Sequence, residues 1–482
     1  MNKYKTLAMN TVVFAIGNIG AKLISFLLTR LYTANLDRAE FNTKDILEMC
    51  ANFLIPVVSF SITDAIIRYG LDKNYEKRAV FSNAIAVLIA GSAGFIILSP
   101  LLLLFTDIRP YAVLLVGYII VSCFRQISTQ FARARGFVKL YAVDGIGCML
   151  TLLVYNLVFM SWLHLGITGF LLAVMLSDLT SGVFVWWIAG HGRYFRRKYI
   201  DRELLQVMLR FSMPLIPTAL LWIITGFSDR LFLRFMKSAE DGGLYSAASK
   251  IPNLISMVST VFYQAWNMSA IAENDSKERS TFYTTVYDAY QAMLFLAAGF
   301  IIAFDIPLSW VLIDTTKDPG YALAYLYTPV LVIAVLMMCL NQFLSSIYTV
   351  TKHTQNSFWT SLAAALLNLI LNAVLIPKFG INGAISATFF SYVICYLIRI
   401  VDTQRLIRFR VEHFKTLVNL ALLYLMCTVV QDPLLGEASF SYFGHKLFAA
   451  VKLIILLAAI AAFNIKPLLA TARKLLRRRS KS

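Results

Sequence analysis

Charge is scarce in this chain. Only 15% of its 482 residues are Asp, Glu, Lys or Arg, while 59% are hydrophobic. A soluble domain carries roughly a quarter charged residues, so a water-exposed surface of ordinary size is excluded. Paired cysteines are missing as well. Cys50, Cys123, Cys148, Cys339, Cys395 and Cys427 all fall in apolar runs and form no CxxC, which rules out a disulfide framework or a thiolate metal site. The five histidines are scattered, with no HExxH spacing, and no GxxxxGK[ST] loop marks an ATP engine. No metal or cofactor is therefore expected. No stretch between apolar runs is long enough for a soluble catalytic domain, so an enzyme is not expected either.

The apolar runs themselves make the positive case. About fourteen of them are long enough to cross a bilayer, beginning 8–32 and 43–67 and including 206–229 and 243–269. The expected class is an all-α polytopic membrane protein of about 14 transmembrane helices. MNKYKTLAMN leads into the first run without a small-residue cleavage site, so that run is expected to be retained.

The net charge of +18 is placed asymmetrically. YGLDKNYEKR, HGRYFRRKYIDR, RLIRFRVEHFK and ARKLLRRRSKS fall on the side of the N-terminus; TDIRP and QDPLLGEASFSYFG on the other side are nearly free of basic residues. This positive-inside pattern predicts cytoplasmic termini, with anionic membrane lipids rather than nucleic acid as the basic segments' partners.

The chain also repeats itself. RLYTANLDRAE (30–40) matches RLFLRFMKSAE (230–240) at Arg30/Arg230, Leu31/Leu231, Ala39/Ala239 and Glu40/Glu240, and the same ungapped register returns at Leu54/Leu254, Ile55/Ile255, Val58/Val258 and Ser59/Ser259. Arg30 and Arg230 are expected to end helices 1 and 7. An even number of spans per copy gives a parallel repeat, an arrangement that puts the substrate site at the interface of the halves. The expected organisation is a six-helix lobe at 1–190, a basic cytoplasmic linker at 191–205, a second six-helix lobe at 206–402, and two added helices with a basic tail at 403–482.

The segments FSMPLIPTALLWIITGFSDRLFLRF with GGLYSAASKIPNLI, NTVVFAIGNIGAKLISFLLTRLYT with SITDAIIRYGLD, and NLILNAVLIPKFGINGAISAT resemble the Wzx-type polysaccharide flippases. That family shares a superfamily with the multidrug and toxin extrusion transporters and the lipid II flippases. The resemblance implies alternating access in a bacterial inner membrane. Its cargo would be an undecaprenyl-pyrophosphate-linked oligosaccharide repeat unit, moved to the outer leaflet for capsule, exopolysaccharide or O-antigen assembly. Polysaccharide polymerases or glycosyltransferases of the same pathway would be its neighbours. A lipid II-type flippase and a multidrug or cation antiporter are the alternatives.

A pyrophosphate head group calls for cations among the helices, because Lys and Arg bind phosphate oxygens through charge-assisted hydrogen bonds. Charge at membrane depth costs roughly 2.5–3.5 kcal/mol on insertion scales, so it is kept where it has a partner or a cavity. Lys22 in helix 1, Arg30, Arg68 and Lys250 inside helix 8 are the candidate head-group residues; lipid II flippases carry cations on matching helices. Asp64, four residues before Arg68, shares its helix face and can pair with it. Asp178, expected as the most buried carboxylate of the first lobe, Asp229 in the outer loop region and its neighbour Arg230 are candidates for coupling or gating. Arg125 and Arg133 share a face of helix 4.

Overall fold

The computed structural model describes residues 24–482 except 73, 273–278, 352, 433–442 and 480–482. Its described residues form helices and turns without a strand. Ten helices are long and apolar enough to cross a membrane, and one bent helix pair passes the same test as a broken span. The chain divides into two compact units, Met1–Phe227 and Ser228–Ser482.

The first described helix of the first unit is α1, residues 24–35. Asp37 caps the next helix: its side chain accepts from the Glu40 amide at 2.7 Å while the Glu40 carboxylate accepts from the Asp37 amide at 3.0 Å. This capping box satisfies two donors that a helix start leaves orphaned. It launches α2, Arg38–Val58. The apolar run at 43–67 predicts one helix, but the chain breaks at Ser59–Ser61 and resumes as α3, Ile62–Leu71, bent by 51°. Pro56 removes a backbone donor in the last turn of α2, and Phe60 and Ser61 adopt left-handed φ values of 51° and 48°. Helix α4, Lys77–Leu98, passes so close to this break that a Cβ on Gly91 would stand 2.0 Å from the Val58 carbonyl oxygen.

Helix α5, Ala112–Ala134, packs on α2, α3, α4, α6 (Val138–Asn156) and α7 (Gly166–Ile188). Its buried stripe is Leu115, Ile119, Cys123, Ile127 and Phe131, one residue every fourth position. Lipid tails are as apolar as leucine, so membrane helices associate through close packing, often at small residues. Gly182 on α7 is such a point, since a Cβ there would lie 2.9 Å from the Phe124 ring.

The basic segment after α7 is built into this unit. His191 is buried, with Nε2 2.9 Å from the Ser128 carbonyl oxygen. Its ring sits among Phe81, Phe131 and Trp186. Asn83 and Asp201 exchange hydrogen bonds at 2.9 and 3.1 Å, and Asp201 then caps α8, Arg202–Ser212. Leu204, Met208 and Ser212 form the buried edge of α8, which packs on α3 and α4. The division between units falls within α9, Leu215–Met236. Pro214 precedes that helix and Pro217 lies in its first turn, where a missing N–H costs nothing.

The second unit continues through α10 (Ala239–Ala248), α11 (Asn253–Ala272), α12 (Arg279–Ala303), the short α13 (Asp305–Leu312), α14 (Thr328–Val350), α15 (Thr354–Phe379), α16 (Ile381–Leu406), α17 (His413–Val430) and α18 (Phe443–Arg479). Helix α14 is its axle, packed against α11, α12, α15, α16 and α17. Most of it is apolar and buried, and its polar residues Asn341 and Ser346 are held by hydrogen bonds to neighbouring helices. The Phe343 ring stacks on Trp266 at 4.7 Å and on Tyr290 at 5.6 Å. Gly380, at φ 56° and ψ −129°, makes the sharp turn between α15 and α16 in a region open essentially to glycine alone.

Both copies of the sequence repeat show the same local event: a helix runs on past its arginine, to residue 35 and to Met236, and the next begins at Arg38 in the first copy and at Ala239 in the second. Arg30 and Arg230 are therefore interior to their helices. The following Asp37 and Ser238 side chains do the capping, so the chain turns there and not at the arginine.

Candidate functional site

The head-group residues named from the sequence meet different fates. Lys22 lies outside the described residues. Arg30 is exposed on α1. Asp64 and Arg68 both stand exposed on α3, yet no ion pair joins them, because two exposed side chains gain little from pairing in water. Lys250 is half-buried and lies in the turn between α10 and α11, not within a helix; Pro252, which has no amide hydrogen, prevents a continuous ladder there.

Three polar clusters lie inside the units. On α2, the buried Lys44 ammonium sits 3.1 Å from Asp45 Oδ1 and 2.5 Å from Glu48 Oε2. The Tyr32 and Phe170 rings face the same ammonium at 4.7 and 4.8 Å. The cation is thus neutralised from its own helix and covered by aromatic faces.

The second cluster joins α5, α6 and α7. Arg125 lies 3.6 Å from Asp144 Oδ2 and 3.6 Å from Asp178 Oδ1, and its Nε donates to Ser181 at 2.8 Å. Ser122 donates to Asp178, and Ser181 donates to Asp144 at 2.6 Å. Asp178 is not the most buried carboxylate of this unit. Its side chain is 13% exposed against 3% for Asp144 and 1% for Asp45, which lie deeper between helices. Arg125 and Arg133 do not act together: Arg133 is exposed, with its guanidinium over the Tyr141 ring.

The third cluster belongs to the second unit and centres on Asp229. This residue is buried within α9, not in an outer loop, because the helix continues to Met236. Its carboxylate accepts from Tyr245 at 2.5 Å, Asn372 at 2.6 Å, Thr388 at 2.6 Å and Asn368 at 3.5 Å. Four neutral donors from α10, α15 and α16 thus surround one negative charge. Arg230, next in sequence, donates to Ser249 at 2.9 Å with its guanidinium 6.0 Å from the centre of the Tyr245 ring.

Lys44, Asp144 and the Asn368–Asn372 pair escaped the sequence reading. Two of these had a signal: Glu48 follows Lys44 by four residues, and two asparagines four apart punctuate an otherwise apolar run. Arg399 was missed too. Buried on α16, it donates to Thr360 Oγ1 at 3.0 Å, Asn341 O at 2.9 Å and Ser361 Oγ at 2.7 Å, tying α14, α15 and α16 together.

In chemical terms these arrangements hold charge within apolar helices and offer carboxylates in both units. Among the described residues no group of three or more His, Cys, Asp or Glu side chains is placed to hold a metal.

The architecture has known counterparts. Lipid II flippase MurJ in an inward closed conformation superposes with a TM-score of 0.72 at 14% identity, over 95% of this chain and all of that one. An inward-facing multidrug resistance MATE family transporter of the MOP superfamily gives 0.61 at 14% identity, over 81% of this chain and 95% of its own. A MOP superfamily transporter from Pyrococcus furiosus gives 0.55 at 14% identity, over 82% and 96%. At such identities the likeness establishes the fold. An uncharacterized membrane protein of Methanocaldococcus jannaschii is 25% identical over 263 residues, 52% of this chain; the match spans 61% of the relative's length. The family model described as polysaccharide biosynthesis protein matches residues 7–267, more than half of the chain. With the many apolar helices, that match identifies a multi-pass membrane protein belonging to the polysaccharide biosynthesis protein family.

Proposed function

We propose that this protein turns an undecaprenyl-pyrophosphate-linked oligosaccharide repeat unit from the inner to the outer leaflet of a bacterial cytoplasmic membrane by alternating access. Both termini lie in the cytoplasm. The observation that carries this reading is the broken span α2–α3, whose second half displays Arg68 on an exposed face with no carboxylate paired to it among the described residues. Broken helices in transporters expose backbone and charge only where they line a path, and a pyrophosphate is the kind of cargo that an exposed guanidinium recognises. Lys22, Arg30 and Lys250 complete the proposed head-group contacts.

Asp178 and Asp229, one in each unit, are the proposed coupling carboxylates; Asp64 and Arg230 are proposed for gating. A carboxylate held by neutral donors, as Asp229 is, can exchange a cation without breaking an ion pair. The pathway's polymerase and glycosyltransferases are the proposed partners, along with anionic lipids at the basic cytoplasmic surface.

The test is export of surface polysaccharide by cells carrying Arg68→Ala, Arg68→Lys, Lys250→Ala or Lys250→Arg, with protein in the membrane measured in parallel. The alanine variants should lose export at normal protein level and the charge-conserving ones retain part of it. Normal export by both alanine variants would sink the head-group site. Lipid II is the alternative cargo, favoured by the closer superposition on MurJ than on the MATE transporter. Rescue of a lipid II flippase deficiency, with no effect on surface polysaccharide, would establish it instead.

A further inference from the structure

The corner between α12 and α13 buries an acid that the transport reading does not use. Asp305 opens α13 and is 0% exposed, and neither of its carboxyl oxygens has a hydrogen-bond partner. One turn further, on the same helix face, the buried Ser309 hydroxyl has none either. Native proteins rarely leave such groups orphaned, so each calls for an explanation. An isolated ionised carboxylate in an apolar site costs far more than a neutral one, and in practice such a group keeps its proton.

Among the described residues the surroundings offer no opposite charge. The last turns of α12 contain no titratable side chain, and the turn over Pro319–Leu326 contributes Tyr321 and Tyr325. Helix α17 brings Cys427, close enough to interact electrostatically with Asp305. Helix α18, packed on α12, carries Lys446 and Lys452; the Lys452 ammonium lies 4.3 Å over the Phe448 ring of its own helix. Burial alone pushes the Asp305 carboxyl well above the usual carboxylate range. A hard metal cation takes about six oxygen ligands, whereas the two orphaned side chains here supply three oxygens. The ligand that fits is a proton.

We infer that Asp305 is a proton-binding site and that the α12–α13 corner stays seated only while the proton is bound. When the corner opens to water, Asp305 ionises and releases the proton. Opening therefore becomes easier as pH rises from the ordinary carboxylate range towards the raised one. This holds whichever cargo the protein carries.

The experiment uses the full chain in lipid nanodiscs. Hydrogen exchange of amides 305–312, corrected for intrinsic rates, should lose protection by up to about tenfold per pH unit, the slope of one linked proton. Asp305→Asn, which carries the neutral shape permanently, should abolish that slope. The infrared carbonyl stretch of a protonated carboxyl should be present in the wild type at neutral pH and absent from the variant. Flat protection in the wild type, or no difference band, overturns the inference. Loss of the band on adding sodium at fixed pH also overturns it, since that would make the site a metal-cation site. If Asp305→Asn does not fold, the wild-type pH slope and its response to sodium still decide.

Discussion

Replacing Asp229 separates a structural carboxylate from a coupling one. Asp229→Ala removes the acceptor of three short hydrogen bonds, at 2.5, 2.6 and 2.6 Å, and leaves Tyr245, Asn372 and Thr388 facing a void. Side-chain hydrogen bonds within membrane bundles average about 0.6 kcal/mol and reach about 1.7, so the loss should be about 2–5 kcal/mol. Asn372 keeps a second contact, to Asn368 at 3.1 Å, which places the expected value in the lower half of that range. Asp229→Asn differs in kind. Its oxygen still accepts, and its amide donates to a hydroxyl, because Tyr and Thr hydroxyls accept as well as donate. That variant should lose about 1 kcal/mol or less. Thermal unfolding of the purified protein measures the order, wild type above Asn above Ala, and an export assay on the same variants measures function. If the negative charge couples transport, Asp229→Asn loses export while keeping near-native stability. Equal stability of the Ala and Asn variants would refute the hydrogen-bond network, and normal export by Asp229→Asn would refute the coupling role.

Two further outcomes are expected. Burial pushes the His191 imidazole down to about 4, so the folded state favours its neutral form. Its contribution is complete above the ordinary histidine value and fades as pH falls from about 6.5 towards 4, by up to ~3 kcal/mol. Exchange protection of residues 190–212 should fall over that window in the wild type and stay flat in His191→Gln; a pH-independent wild type would contradict the buried-imidazole geometry. Removing Arg125 strands Asp144 and Asp178; its quarter exposure lowers the usual 3–5 kcal/mol for a broken buried pair to ~2–3 kcal/mol. In a double-mutant cycle Asp178→Asn should restore part of that loss in the Arg125→Ala background, whereas strict additivity in thermal unfolding would show that the two do not interact.

The class, the helical fold and the internal repeat were legible because they rest on long-range statistics of apolar residues and on a register that survives at caps. Helix ends were not. Arg30 and Arg230 look like terminal residues because charge usually flanks a span, whereas the turns are made by the capping chemistry of Asp37 and Ser238 a little further on. The break at Ser59–Ser61 was invisible for a different reason: it uses left-handed Phe60 and Ser61 where sequence patterns lead one to expect glycine. Buried charges were the least legible part. Lys250 and Asp229 attracted notice by position alone, while the partners that define a site, such as Asn372 and Thr388 around Asp229, come from helices more than a hundred residues away.

That break has an evolutionary side. A Cβ added at Gly91 would lie 3.4 Å from the Phe60 ring as well as against the Val58 carbonyl, so the space at the kink is shared by Gly91 on α4 and Phe60 in the break. Neither can drift alone. A larger residue at 91 is tolerated only if the ring at 60 shrinks and the α2 backbone withdraws, and straightening the kink would leave the groove at 91 empty. Descendants of this chain should therefore change the two positions together or not at all, and deep mutational scanning should find them strongly epistatic while neighbouring lipid-facing positions such as Ile96 and Ile97 vary freely.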